Sequence, residues 1–311
     1  MSAKIIFQTN QLSKNYGQQF ALDHFDLTVR QGEIIGIAGP NGAGKTTLFK
    51  ILTGLTPHYD GTLTLFDESR PHNLQQMRRY IGAVIEEPAF YPELSARENL
   101  EVFRLQRGVV EVERVEELLE LFGLDQTGKK ALKHFSLGMK QRLAMAQSLL
   151  HRPDLLIFDE PINGLDPQVI LDLRQIFHHL AHDLNLTLLI SSHILSELEE
   201  VCDRFVIINH GQKLREFTKQ ELHTMTKDFY LLRVDQPKKA ATVIEQQLHT
   251  ENYEIDAQQA IRFFDLTIDP ALVNRTLVQN DIQVSELAAN RLQLEDLFMQ
   301  IVSQAQPNKK G

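Results

Sequence analysis

Residues 39–47 read Gly-Pro-Asn-Gly-Ala-Gly-Lys-Thr-Thr and follow directly on a short apolar, β-branched run, Ile34–Ala38. Leu48, Ile51, Leu52 and Leu55 then recur at i, i+3, i+4 and i+7, the period of a helix with one buried face. A strand that turns through a glycine-rich loop straight into a helix admits few folds. It opens an α/β domain whose sheet is largely parallel, and the following residues continue in that style. Leu155–Phe158 and Leu186–Ile190 read as buried strands with a helix, Gln168–Leu184, between them, and Phe205–Ile208 as another strand. Residues 87–150 differ: they are mostly helical by pattern, with Val112–Phe122 the clearest amphipathic stretch, and look like a helical insertion on the α/β core.

The loop has the spacing of a phosphate cradle, Gly, four residues, then Gly-Lys-Thr. Glycines let backbone N–H groups converge on phosphate oxygens without Cβ clashes, and the helix that begins here points its positive end at the same anion. Gly39, Asn41, Gly42, Ala43, Gly44, Lys45, Thr46 and Thr47 are therefore the expected nucleotide contacts. Lys45 would neutralise the β- and γ-phosphates, and the Thr46 hydroxyl would face Mg²⁺. A merely connecting turn is the alternative, and the strand–loop–helix context weighs against it.

A second feature is Leu155-Leu-Ile-Phe-Asp-Glu160, an apolar strand ending in two adjacent carboxylates. Beside a phosphate loop, Asp159 fits a Mg²⁺ ligand and Glu160 the general base that polarises the attacking water. A third is Phe135-Ser-Leu-Gly-Met-Lys-Gln-Arg142, where Ser136 and Gly138 open a helix expected from Met139, a second helix N-terminus able to meet an anion.

With these segments in this order, the chain resembles the nucleotide-binding subunits of ABC transporters over roughly Ile5–Glu216. Residues 39–47 resemble the Walker A loop, 155–160 the Walker B strand, Ser136-Leu-Gly-Met-Lys the signature motif and Asn163-Gly-Leu-Asp166 the D-loop. His193 in Ser191-Ser-His193 resembles the switch histidine, and Tyr16 sits where the family places an aromatic against adenine. A core aromatic is the second reading of Tyr16. The resemblance implies a P-loop NTPase core with a helical subdomain, binding ATP and Mg²⁺. Two copies would pair head to tail, Ser136 and Gly138 of one meeting the phosphate loop of the other. It further implies that His193 contacts the γ-phosphate, Asp166 communicates across the dimer and the helical subdomain passes force to membrane-spanning permease subunits.

Two departures from the family pattern stand out. The signature, usually Leu-Ser-Gly-Gly-Gln, here runs Phe135-Ser-Leu-Gly-Met139, and in Ile81-Gly-Ala-Val-Ile-Glu-Glu-Pro88 the usual Q-loop glutamine is Glu86. A carboxylate near a γ-phosphate is repelled unless a metal or partner compensates, so Glu86 is expected with Thr46 and Asp159 around Mg²⁺. These variants, with Leu294-Glu-Asp-Leu-Phe298 near the end, are similar to the bacitracin-resistance and lantibiotic-immunity ATPases, which serve exporters of peptide antibiotics.

Composition narrows the alternatives. With 32 Lys and Arg against 41 Asp and Glu the net charge is −9, a poor match for nucleic acid. A non-transport ABC ATPase acting on ribosomes or DNA is the runner-up. The chain shows one phosphate loop and no long coiled-coil insertion, which disfavours it; a small-molecule kinase would leave the signature and His193 unexplained. Met1–Asn10 lacks a basic start followed by an apolar stretch and the apolar runs are short, so the expected place is the cytoplasm, at the inner face of the membrane through the permease subunits.

The expected division is a nucleotide-binding domain over 1–216, a linker over 217–226, an α+β accessory domain over 227–304 and a polar tail over 305–311. The accessory domain reads strand, helix, strand, strand, helix, strand, helix, the order of a split βαβ unit.

Overall fold

The computed structural model describes residues 4–86, 89–225, 228–256, 258–291 and 294–304. The tail expected over 305–311 lies outside them. Two compact units are present: one runs to Lys219 and takes in the chain again from Ile301, the other is Gln220–Gln300.

In the first unit, β1 (Ile5–Tyr16) and β2 (Gln19–Arg30) form a hairpin, and β4 (Asp60–Leu65) pairs with the other side of β1, all antiparallel. This small sheet is absent from the sequence reading, which expects strands alternating with helices. Its inward Phe7, Leu12, Phe25, Leu27 and Val29 join the main hydrophobic core.

The main sheet has the order β5-β6-β7-β3-β8-β9. It comprises β3 (Ile34–Ala38), β5 (Ile81–Val84), β6 (Leu155–Phe158), β7 (Thr187–Ser192), β8 (Arg204–Asn209) and the antiparallel edge strand β9 (Gln212–Thr218). The strands from β5 to β8 run parallel, so their carboxyl ends share one edge. Strands buried on both faces lose side-chain alternation, which is why β3 and β6 are wholly apolar.

The first helix, α1 (Lys45–Thr53), buries Leu48, Ile51 and Leu52; each is worth roughly 1.5–3 kcal/mol of transfer free energy. Leu55, expected on that buried face, is 66% exposed, because Gly54 ends the helix in a left-handed conformation. A short α2 (Pro71–Met77) follows.

The helical insertion holds α3 (Ala96–Gln106), α4 (Glu113–Leu121) and α5 (Leu137–Ser148). Ser95 and Glu98 form a capping box at the start of α3, and Ser136 caps α5, which begins two residues before the expected Met139. Next come α6 (Pro167–His178), extended by a π turn over His179–Asp183, then α7 (Leu195–Glu199) and α8 (Lys219–Met225). The stretch expected as a linker therefore holds the end of β9 and α8, with Phe217 and Leu222 buried.

His151 ties the helical insertion to the sheet. Its Nε2–H donates to the Ile81 carbonyl at 3.1 Å, and its Nδ1 accepts from the Arg107 guanidinium at 2.9 Å. Burial and the nearby Arg107 charge lower its pKa to about 4. An unfolded chain takes up this proton below its ordinary value near 6.5, so stability falls as pH drops from about 6.5 to about 4 and levels off below. His151→Gln keeps a donor for Ile81 and removes that dependence. Between pH 7 and 4.5 the wild type is expected to lose roughly 2 kcal/mol more than the variant in urea unfolding. Equal losses would exclude His151 as the titrating group.

The second unit has β10 (Asp228–Val234), α9 (Pro237–Leu248), β11 (Tyr253–Ile255), β12 (Ile261–Phe263), α10 (Pro270–Gln279), β13 (Val284–Arg291) and the start of α11 (Leu294–Gln304). The sheet order is β11-β12-β10-β13 with every pair antiparallel, which is the split βαβ order. Leu232, Ile244, Ile261, Phe263, Val273 and Leu277 form its own core.

Candidate active site

The carboxyl edge of the parallel sheet collects the sequence-predicted residues. The loop 39–44 leaves β3, Glu86 follows β5, Asp159 and Glu160 follow β6, and His193 follows β7. This edge is where open α/β sheets bind ligands.

Gly44 caps α1 with φ at 113°, and a Cβ there would stand 2.3 Å from the Ala21 carbonyl oxygen, so only glycine fits. The first N–H groups of α1 have no carbonyl one turn back to accept them. A cavity of about 190 Å³ sits there, lined by Asn41 to Thr47 and Glu160.

Lys45 is 5% exposed. Its ammonium donates to the Gly39 carbonyl at 2.6 Å and the Pro40 carbonyl at 3.3 Å. It also lies 3.1 Å from Glu160 Oε1, outside hydrogen-bond geometry, so the contact is Coulombic and that buried oxygen has no hydrogen bond. The other carboxylate oxygen of Glu160 meets His193 Nδ1 at 2.8 Å. Glu160 is thus held between a cation and an imidazole, with its backbone at φ 49°, a conformation few non-glycine residues adopt.

Asp159 accepts from the Thr46 hydroxyl at 2.7 Å and the Ser191 hydroxyl at 2.6 Å, and Ser191 Oγ accepts in turn from the Glu160 N–H at 2.8 Å. In the sequence Ser191 stands only as a neighbour of His193. Its place at the end of β7, next to β6, is the signal that marks it. Two hydroxyl oxygens and a carboxylate are hard donors that suit Mg²⁺.

Glu86 is not brought to Asp159 and Thr46. Its carboxylate accepts from Lys50 Nζ at 2.5 Å, and its backbone φ is 62°. Lys50 is one α1 turn beyond Thr46, close enough to claim the charge. Its hydrogen bond to Glu86 holds the Lys50 ammonium above its ordinary pKa, with the charges of Glu86 and Asp159 adding to the effect.

Tyr16 ends β1 with its ring 56% exposed and Lys14 Nζ 5.0 Å from the ring centroid, which removes the core-aromatic reading. Ser136 and Asp166 are exposed at the N-termini of α5 and α6; Gly138 is buried. None of these four contacts the Lys45–Asp159–Glu160 cluster through a hydrogen bond or ion pair among the described residues. A cleft of about 600 Å³ joins the two regions, lined by Glu86, Asp159, Glu160, Leu137, Lys133 and Lys140 among others.

A family model described as ABC transporter matches residues 22–163. The bacitracin transport ATP-binding protein BcrA of Bacillus licheniformis is 39% identical over 297 residues, covering 96% of this chain and 97% of that protein. The lantibiotic transport ATP-binding protein SrtF of Streptococcus pyogenes is 42% identical over 205 residues, 66% of this chain and 87% of that one. Among solved structures, the dimeric structure of MJ0796, a bacterial ABC transporter cassette, shares the fold at a TM-score of 0.63 and 24% identity, covering 68% of this chain and 98% of that one. No helix among the described residues is long and apolar enough to cross a membrane.

Proposed function

The chain belongs to the ABC transporter family, and from that premise we propose that it hydrolyses ATP to power export of a peptide antibiotic or a similar amphipathic compound through separate permease subunits. The observation that carries the ATPase reading is the cluster Lys45, Thr46, Asp159, Glu160, Ser191 and His193 beside the 39–47 loop. Relatives named for bacitracin and lantibiotic transport support the cargo class.

Hydrolysis here is positioning plus electrostatics. The loop N–H groups and Lys45 bind the phosphates, the Tyr16 ring takes the adenine, and Glu160 takes a proton from the attacking water. His193 orients Glu160 and senses the γ-phosphate. Thr46 and Asp159 would hold Mg²⁺, which would neutralise phosphate charge. Ser191 positions Asp159 and Glu160 together. The exposed Ser136 end of α5, with Gly138 behind it, supports a head-to-tail homodimer in which each α5 N-terminus meets the partner's nucleotide, with Asp166 at that interface. In this reading the dimer sits at the inner membrane face, bound to the permease.

The test uses tagged Glu160→Gln chain in its native cell, with membranes solubilised in ATP and Mg²⁺. Recovery of a polytopic membrane protein whose deletion sensitises the cell to peptide antibiotics is the expected result. Recovery from the soluble fraction with ribosomes or DNA-associated proteins would overturn the exporter reading and leave the ATPase standing.

A further inference from the structure

The cleft at the sheet edge gathers three carboxylates, Glu86, Asp159 and Glu160, and Glu160 also lines the cavity at the 39–47 loop. Two have a cation of this chain beside them. Glu160 has Lys45 at 3.1 Å, and Glu86 has Lys50 at 2.5 Å. Asp159 has hydroxyl donors instead, which leaves it as the carboxylate open to a metal. The Glu86 side chain is 66% exposed and is directed to α1 by a left-handed backbone turn directly after β5. Lys50 itself lies in the field of Asp159.

We propose that Lys50 is a positioning residue for Glu86: the ion pair holds this carboxylate on α1 and neutralises it, so that nucleotide enters a cleft that already carries Asp159 and Glu160. A glutamine in place of Glu86 would need no such partner. Lys50 thereby becomes necessary only because this position holds an acid. The inference rests on the nucleotide-binding reading above.

The consequence is a non-additive pair. Binding of a fluorescent N-methylanthraniloyl ATP is measured on the full chain, in EDTA and in Mg²⁺, with thermal melts confirming that each variant is folded. At low ionic strength Lys50→Met is expected to weaken binding about three- to tenfold, because it leaves Glu86 unneutralised near the phosphates. The loss should shrink in 0.5 M salt as the bare charge is screened. Glu86→Gln should bind at least as tightly as wild type, and the double variant should fall within about twofold of Glu86→Gln. Equal losses from Lys50→Met in the wild-type chain and in the Glu86→Gln chain would mean that Lys50 touches nucleotide by itself, and the proposal fails; it fails equally if Lys50→Met changes nothing. A wild-type chain that binds no analogue would instead remove the nucleotide reading beneath it.

Discussion

Glu160→Gln is expected to slow single-turnover ATP hydrolysis by about a thousandfold while nucleotide still binds. A positioned general base contributes on the order of 10²–10⁴ in rate, and an amide cannot accept the proton from water. The substitution preserves shape, and a glutamine carbonyl still meets His193. It also removes the anion 3.1 Å from Lys45, freeing that ammonium for phosphate, so affinity should rise rather than fall. A dimer that accumulates in ATP on size-exclusion chromatography is the accompanying result. Turnover at the wild-type rate would remove Glu160 from the role of base and shift attention to His193.

Lys45→Ala and Gly138→Asp should each reduce ATPase activity to below about 1% of wild type, yet the two inactive chains, mixed, should recover about a quarter of it. The first removes the buried cation of the phosphate loop, and charge-assisted contacts of this kind are among the strongest available to a phosphate site. The second acts elsewhere. A Cβ at Gly138 would stand 3.0 Å from Val169 Cγ1, and the added carboxylate would lie in the first turn of α5, where the helix offers positive potential to an anion. In a head-to-tail dimer of one chain of each kind, one composite site keeps both Lys45 and Gly138. Random mixing at equal amounts leaves about a quarter of the sites intact, and activity near that fraction is expected if one site suffices. Absence of any recovery, with heterodimers demonstrated, would argue that the signature helix does not serve the partner's nucleotide.

Much of this site could be read in the sequence because its chemistry is local. A phosphate loop is one continuous segment whose spacing points to Lys45 and Thr46, and β6 carries Asp159 and Glu160 on its own end, a pair that gains meaning only beside that loop. What escaped were contacts made across the sheet. Ser191 comes from β7 and Lys50 from the middle of α1; neither belongs to a pattern, and both matter through what the fold sets beside them. The β1–β2–β4 sheet escaped for a related reason. Register shifts break the alternation along β1, although Phe25, Leu27 and Val29 of β2 do alternate with polar Asp26, Thr28 and Arg30, a strand signal that was open to reading. The accessory unit was easier, because short strands and helices punctuated by Pro237 and Pro270 keep their order visible.

The sheet order has a consequence for how the chain is born. β3 is made early, yet both of its neighbours come much later: Ile34 pairs with Leu188 of β7, and Ile35 with Arg204 of β8. At roughly 5–20 residues per second of synthesis, an all-apolar strand waits about 8–30 seconds with both edges open. During that interval its unpaired N–H and C=O groups are a template for intermolecular pairing. The same delay keeps Lys45 and His193 apart until β7 has emerged. Glu160, which lies between Lys45 and His193, therefore gains its second neighbour only after about 150 residues beyond Lys45 have been made.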